Sequence, residues 1–122
     1  MKTCWLGDWA ENGSVATLDE EFDTKTGLTE DQVLLAYYSY RDYSGTAFVL
    51  FRRGGTLYEV NAGHCSCKGL EGQWAPEETT AKVLRHRMTE GDLGTEWSYP
   101  DRVDTFRNDL TTVLDEWEKI NM

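Results

Sequence analysis

The chain has no run of about 18 apolar residues, so no membrane-crossing helix is expected from it. No long apolar region follows Lys2, so the N-terminus does not read as a signal peptide, and the expected compartment is the cytoplasm. Basic residues are few: 12 Lys and Arg stand against 22 Asp and Glu, a net charge of −10. Such a chain is repelled by nucleic acid and by anionic membrane, which argues against either as a direct partner. Cysteine is scarce and odd in number, at three. Cys65 and Cys67 are one residue apart, and a disulfide across that spacing would be strained, so a disulfide framework is not expected. Also missing are a phosphate-cradling glycine loop, a paired-carboxylate spacing, a nucleophile elbow and any internal repeat. No catalytic residue is assigned.

What is present fits one domain of 122 residues, with fifteen aromatics to supply its core. Residues 1–27 read as an irregular acidic N-terminal arm, in which Trp5, Leu6 and Trp9 could share one face of a helical turn. Residues 28–122 read as a single α+β domain. Val33–Tyr40, Thr46–Phe51 and Thr56–Asn61 are expected strands, joined by turns at Asp42–Gly45 and Arg53–Gly55. Together they make a three-stranded antiparallel meander. Leu57, Glu59 and Asn61 should face one way, Tyr58 and Val60 the other. Two helices should pack on this sheet. The first opens at Pro76-Glu77-Glu78-Thr79 and ends near Gly91. The second is capped by Asp101 and carries Val103, Phe106, Leu110, Val113, Leu114, Trp117 and Ile120 at helical spacing.

The acidity is uneven. Residues 1–32 carry eight acids and two bases, residues 76–122 eleven acids and six bases, and the stretch between is nearly neutral. Asp19, Glu20, Glu21 and Asp23 form one acidic cluster, and Asp115, Glu116 and Glu118 another. They serve solubility, or they meet a basic protein surface.

Chemistry-bearing side chains concentrate after the third strand. His64, Cys65 and Cys67 are the candidate metal ligands, and zinc is the ion such donors would take. The second Cys/His pair of a strong zinc signature is absent, so Cys4, His86 or a carboxylate would have to complete the site. No resident cofactor is otherwise expected. The same residues could supply a thiolate–imidazole pair, or simply pack. Glu71, Gln73 and Trp74 follow on a glycine-rich loop. Trp74 either anchors that loop in the core or, exposed, acts as a binding hot spot.

The strands just named, with His64-Cys65-Ser66-Cys67-Lys68-Gly69-Leu70-Glu71-Gly72-Gln73-Trp74-Ala75-Pro76-Glu77-Glu78-Thr79, resemble a set of small bacteriophage and prophage proteins. The similarity runs from about Leu28 to Gly91. It implies the cytoplasm of an infected bacterium and a role in binding a host protein. Some small acidic phage proteins block defence nucleases of the CRISPR or restriction type. The expectation is therefore an accessory protein that inhibits a host factor through Asp19, Glu20, Glu21, Asp23, Glu71, Gln73, Trp74, Asp115, Glu116 and Glu118. The alternative is a small metal- or thiol-dependent protein using His64, Cys65 and Cys67.

Overall fold

A computed structural model describes residues 2–41, 43–65 and 69–120. The chain divides into two compact units, residues 1–78 and 79–122.

In the first unit, segments rich in apolar and aromatic residues form three long strands: β2 (Val33–Arg41), β3 (Ser44–Arg53) and β4 (Thr56–Cys65), numbered after β1 (Cys4–Gly7). β2, β3 and β4 pair antiparallel in sequence order. β1 joins the outer edge of β2 in parallel, with Cys4 opposite Leu35 and Gly7 opposite Tyr38. β5 (Glu77–Thr79) lies at the other edge, giving the order β1-β2-β3-β4-β5. One sheet face presents Val33, Ala36, Tyr38, Ala47, Val49, Phe51, Val60 and Ala62. The period of two sends Leu35, Tyr37, Phe48, Leu50 and Leu57 to the opposite face, where they are also buried.

The first face is covered by residues close to the N-terminus. The helix α1 (Val15–Glu21) is short but closed at both ends. Ser14 Oγ accepts from Thr17 N at 3.2 Å, and Glu30 Oε2 accepts from Val15 N at 2.8 Å. At the other end Asp23 turns left-handed (φ 50°). The N–H groups of Asp23 and Thr24 then reach the carbonyls of Glu20 and Asp19, closing a Schellman motif. Asp19 Oδ1 holds the following loop through Thr26 N and Thr26 Oγ1. Leu18, Phe22, Leu28 and Trp9 thereby enter the core.

The second unit contains α2 (Ala81–Thr89), a two-stranded sheet of β6 (Thr95–Ser98) and β7 (Asp101–Asp104), and α3 (Arg107–Ile120). Leu84 and Met88 of α2 are buried, as are Leu110, Val113 and Leu114 of α3. Arg85 of α2 makes ion pairs with both Asp115 and Glu118 of α3 at 2.7 Å. The carbonyl of Gly94 accepts the N–H groups of Thr105, Phe106 and Arg107, which ties the start of the hairpin to the start of α3.

The fold therefore corrects the expected three-stranded meander packed by two helices. The described residues form two sheets, of five and two strands, with parallel and antiparallel pairing and three helices. The irregular arm is also corrected: Cys4–Gly7 is a strand rather than a helical turn, and Val15–Glu21 is a helix. Helix starts move as well. Glu77–Thr79 is extended, and Thr80 caps α2 by accepting from Val83 N at 3.1 Å. Asp101 lies in β7, while Asp104 caps α3 by accepting from Arg107 N and Asn108 N. Val103 and Ile120 are exposed, so the apolar stripe of α3 is shorter than its sequence spacing implies.

Candidate functional site

The end of the sheet where β4 leaves for its loop collects an aromatic and imidazole cluster. In register, Tyr40 of β2 lies opposite Gly45 of β3, and Gly45 lies opposite His64 of β4. The middle position has no side chain, so the Tyr40 and His64 rings meet across it, with centroids 4.1 Å apart. A Cβ at Gly45 would stand 3.1 Å from Tyr40 Cδ2 and would press on the backbone of Ser39. His64 also lies 6.1 Å from Tyr38, which stacks on Trp9 at 5.1 Å. His64 Nδ1 is buried and finds no hydrogen-bond partner among the described residues. Asp8 joins the cluster through its carboxylate, which accepts from Tyr40 N at 3.1 Å.

Burial pushes the Tyr38 phenol up to about 12, helped by the negative charges of Glu21 and Asp8. The sign follows from linkage. Above the ordinary value of 10, tyrosine 38 in the unfolded chain ionises while the folded phenol keeps its proton, so unfolding gains. Stability is expected to fall by about 2 kcal/mol between pH 10 and 12 through this group. Denaturation of wild type and Tyr38→Phe across that range measures it. Parallel pH slopes for the two proteins would refute it.

His64 and Cys65 are adjacent on a strand, so their side chains diverge to opposite faces. His64 turns to the aromatic cluster, Cys65 away from it. Cys67 lies outside the described residues. Cys4 sits in the strand row that runs through Leu35 and Leu50 to Glu59. That row is six residues from Cys65, about 20 Å along β4, so Cys4 and Cys65 cannot share an ion. His86 lies on α2 in the second unit. Among the described residues no group of three or more His, Cys, Asp or Glu is placed to hold a metal.

The loop after β4 is fastened by Gln73. Its Oε1 accepts from Gly63 N at 2.9 Å, and its Nε2 donates to Gly63 O at 2.6 Å and to Gly69 O at 2.7 Å. One amide thus satisfies both backbone groups of Gly63, as a strand residue would. Trp74 is half-buried, edge-on to Phe22 at 5.0 Å and stacked over Phe51 at 5.8 Å, so it anchors the loop. Glu71 is exposed beside Gly69.

The acidic candidates divide by what they hold. Asp19 is committed to Thr26, and Asp115 and Glu118 to Arg85, while Asp23 is exposed with its backbone left-handed at the helix end. Glu20, Glu21 and Glu116 are exposed, and no hydrogen bond or ion pair engages their side chains among the described residues. Sequence reasoning missed the β6–β7 hairpin. Trp97, Tyr99 and Val103 are exposed on it, and the only advance signal was two aromatics flanking Ser98 among charges, a spacing of two.

No helix among the described residues is long and apolar enough to cross a membrane. No protein-family model, curated protein or solved structure matches the chain.

Proposed function

We propose that this protein is a phage-type accessory protein that binds a basic surface on a host protein and blocks it, a defence nuclease of the CRISPR or restriction type being the candidate target. The observation that carries this reading is the charge. The chain bears −10, and Glu20, Glu21 and Glu116 face solvent with no internal partner among the described residues. Nucleases that hold nucleic acid do so with Lys and Arg, whose field attracts exposed carboxylates such as these and orients the approach. The phage-like central block supplies the biological context.

The test adds the purified chain to restriction and CRISPR nucleases and follows DNA cleavage at low and at physiological ionic strength. Wild type is expected to inhibit, more strongly at low salt. The variant Glu20→Lys, Glu21→Lys, Glu116→Lys is expected to lose about tenfold or more in potency, because like charges at an interface cost several kcal/mol. These three acids are chosen because no hydrogen bond or ion pair engages their side chains among the described residues. Equal inhibition by the variant would remove the acidic surface from the explanation, and cleavage unaffected by wild type would remove the inhibitor reading.

A further inference from the structure

Asn12 is the one asparagine of the chain that precedes a glycine. With no side chain beside it, the Gly13 nitrogen is free to attack the amide next to it. It adds to Asn12 Cγ, and ammonia leaves with the nitrogen's proton, closing a five-membered succinimide. Water then opens either imide carbonyl. One product is aspartate. The other is isoaspartate, in which the chain runs on through Cβ and Cγ. Asn12 is exposed to that water, and its side chain makes no hydrogen bond among the described residues.

The fold opposes this reaction by tying the peptide group between the two residues at both ends. The Asn12 carbonyl accepts from Thr17 Oγ1 at 3.0 Å, and the Gly13 N–H donates to the Trp9 carbonyl at 2.9 Å. Ring closure needs that group to rotate and the Gly13 nitrogen to give up its proton, so both bonds must break first. Gly13 is also fixed against the Trp5 ring. A Cβ there would stand 2.5 Å from Trp5 Cδ2 and 2.6 Å from the Trp9 carbonyl oxygen. The glycine that makes the pair reactive is therefore required by packing. Thr17 N donates to Ser14 Oγ at the start of α1, so one residue serves both the helix cap and the tie on Asn12.

We infer that Asn12 is a self-modification site that the fold keeps closed, and that each opening of the start of α1 exposes it to one-way conversion into isoaspartate. Isoaspartate adds one atom to the backbone between Trp9 and Ser14. It also turns the carbonyl that Thr17 holds into a free carboxylate. The turn and the cap do not close on that spacing as before. The conversion thus limits how long the first unit stays folded, whatever the chain binds.

The test incubates the full chain in mildly alkaline buffer, native and in denaturing urea, and follows residue 12 by peptide mapping with isoaspartate detection. Wild type is expected to convert at Asn12 in urea, and about tenfold or more slowly when native, since only the locally opened fraction reacts. Thr17→Val removes the hydroxyl donor and keeps the branched shape. It is expected to raise the native rate about fivefold, the worth of one hydrogen bond, and to leave the rate in urea unchanged. Equal native and urea rates in wild type overturn the closed site. No conversion at Asn12 in urea overturns the site itself. An unchanged native rate in folded Thr17→Val overturns the tie on the peptide group; if that variant loses native dispersion, the wild-type comparison decides alone. Chains converted to isoaspartate are expected to unfold at lower urea than Asn12→Asp, which has the same composition and a normal backbone. Equal midpoints overturn the one-way consequence.

Discussion

Replacing Phe22 by Ala is expected to lower stability by about 3–5 kcal/mol. Phe22 is 1% exposed and meets the Trp74 ring edge-on at 5.0 Å. Trp74 stacks over Phe51 at 5.8 Å, and Phe51 over Tyr58 at 5.4 Å. The ring from α1 thus begins a series that runs through the loop after β4 into the centre of the sheet. Removing it opens a cavity in the core and withdraws one face of the loop's anchor. Urea denaturation should show a lower midpoint at similar slope. The prediction separates two pictures of the N-terminal segment. A loosely attached arm would tolerate Phe22→Ala with a change below about 1 kcal/mol, and that result would overturn its place in the core.

Gly94→Ala should disrupt the second unit, at a cost of at least about 2 kcal/mol. Gly94 has φ 85°, where a side chain is strained. A Cβ there would also stand 2.8 Å from both N and Cα of Arg107. Backbone cannot move aside as a flexible side chain can, so the carbonyl that gathers Thr105, Phe106 and Arg107 must shift. Faster amide exchange at the start of α3 and in β7 would report the loss. Gly72→Ala is the control. It shares the backbone conformation (φ 80°) but has open space around the added carbon, so it should show the backbone strain alone. Equal losses in the two variants would mean that the close approach to Arg107 carries no weight.

How far the sequence could be read depended on local periodicity. Short apolar and aromatic runs bounded by turn residues between Val33 and Asn61 mark β2, β3 and β4, and the period of two in β4 sorts Tyr58 and Val60 from Leu57, Glu59 and Asn61. It could not reveal β1 or β5, which are only four and three residues long. A strand of that length has no period to detect, and its existence depends on a neighbour already in place. The helix α1 spans seven residues and ends on a left-handed Asp23 where glycine is the usual signal, so its acids looked like a run without structure. Two aspartates, Asp101 and Asp104, follow Pro100, and either could cap a helix. The choice between them was made by the pairing of β7 with β6.

At the candidate site, the separation of His64 from Cys65 follows from strand geometry alone. The meeting of Tyr40 with His64 does not, because it depends on three strands in register and on a glycine between them. The particular partners of Arg85 were hidden for the same reason. Asp115 and Glu118 lie one helical turn apart, but only the packing of α2 brings Arg85 between them. At about half exposure such pairs contribute little to stability, yet they remove two acids from the set available to a partner.

The Gln73 amide has one more consequence. A strand edge with free N–H and C=O groups is a template on which a second chain can build, and that is how ordered proteins begin to form fibrils. At Gly63 both of those groups are already taken by a side chain from the same molecule. An amide can imitate a strand for one residue but cannot be extended into another, so at this point the sheet ends in a dead stop against self-association.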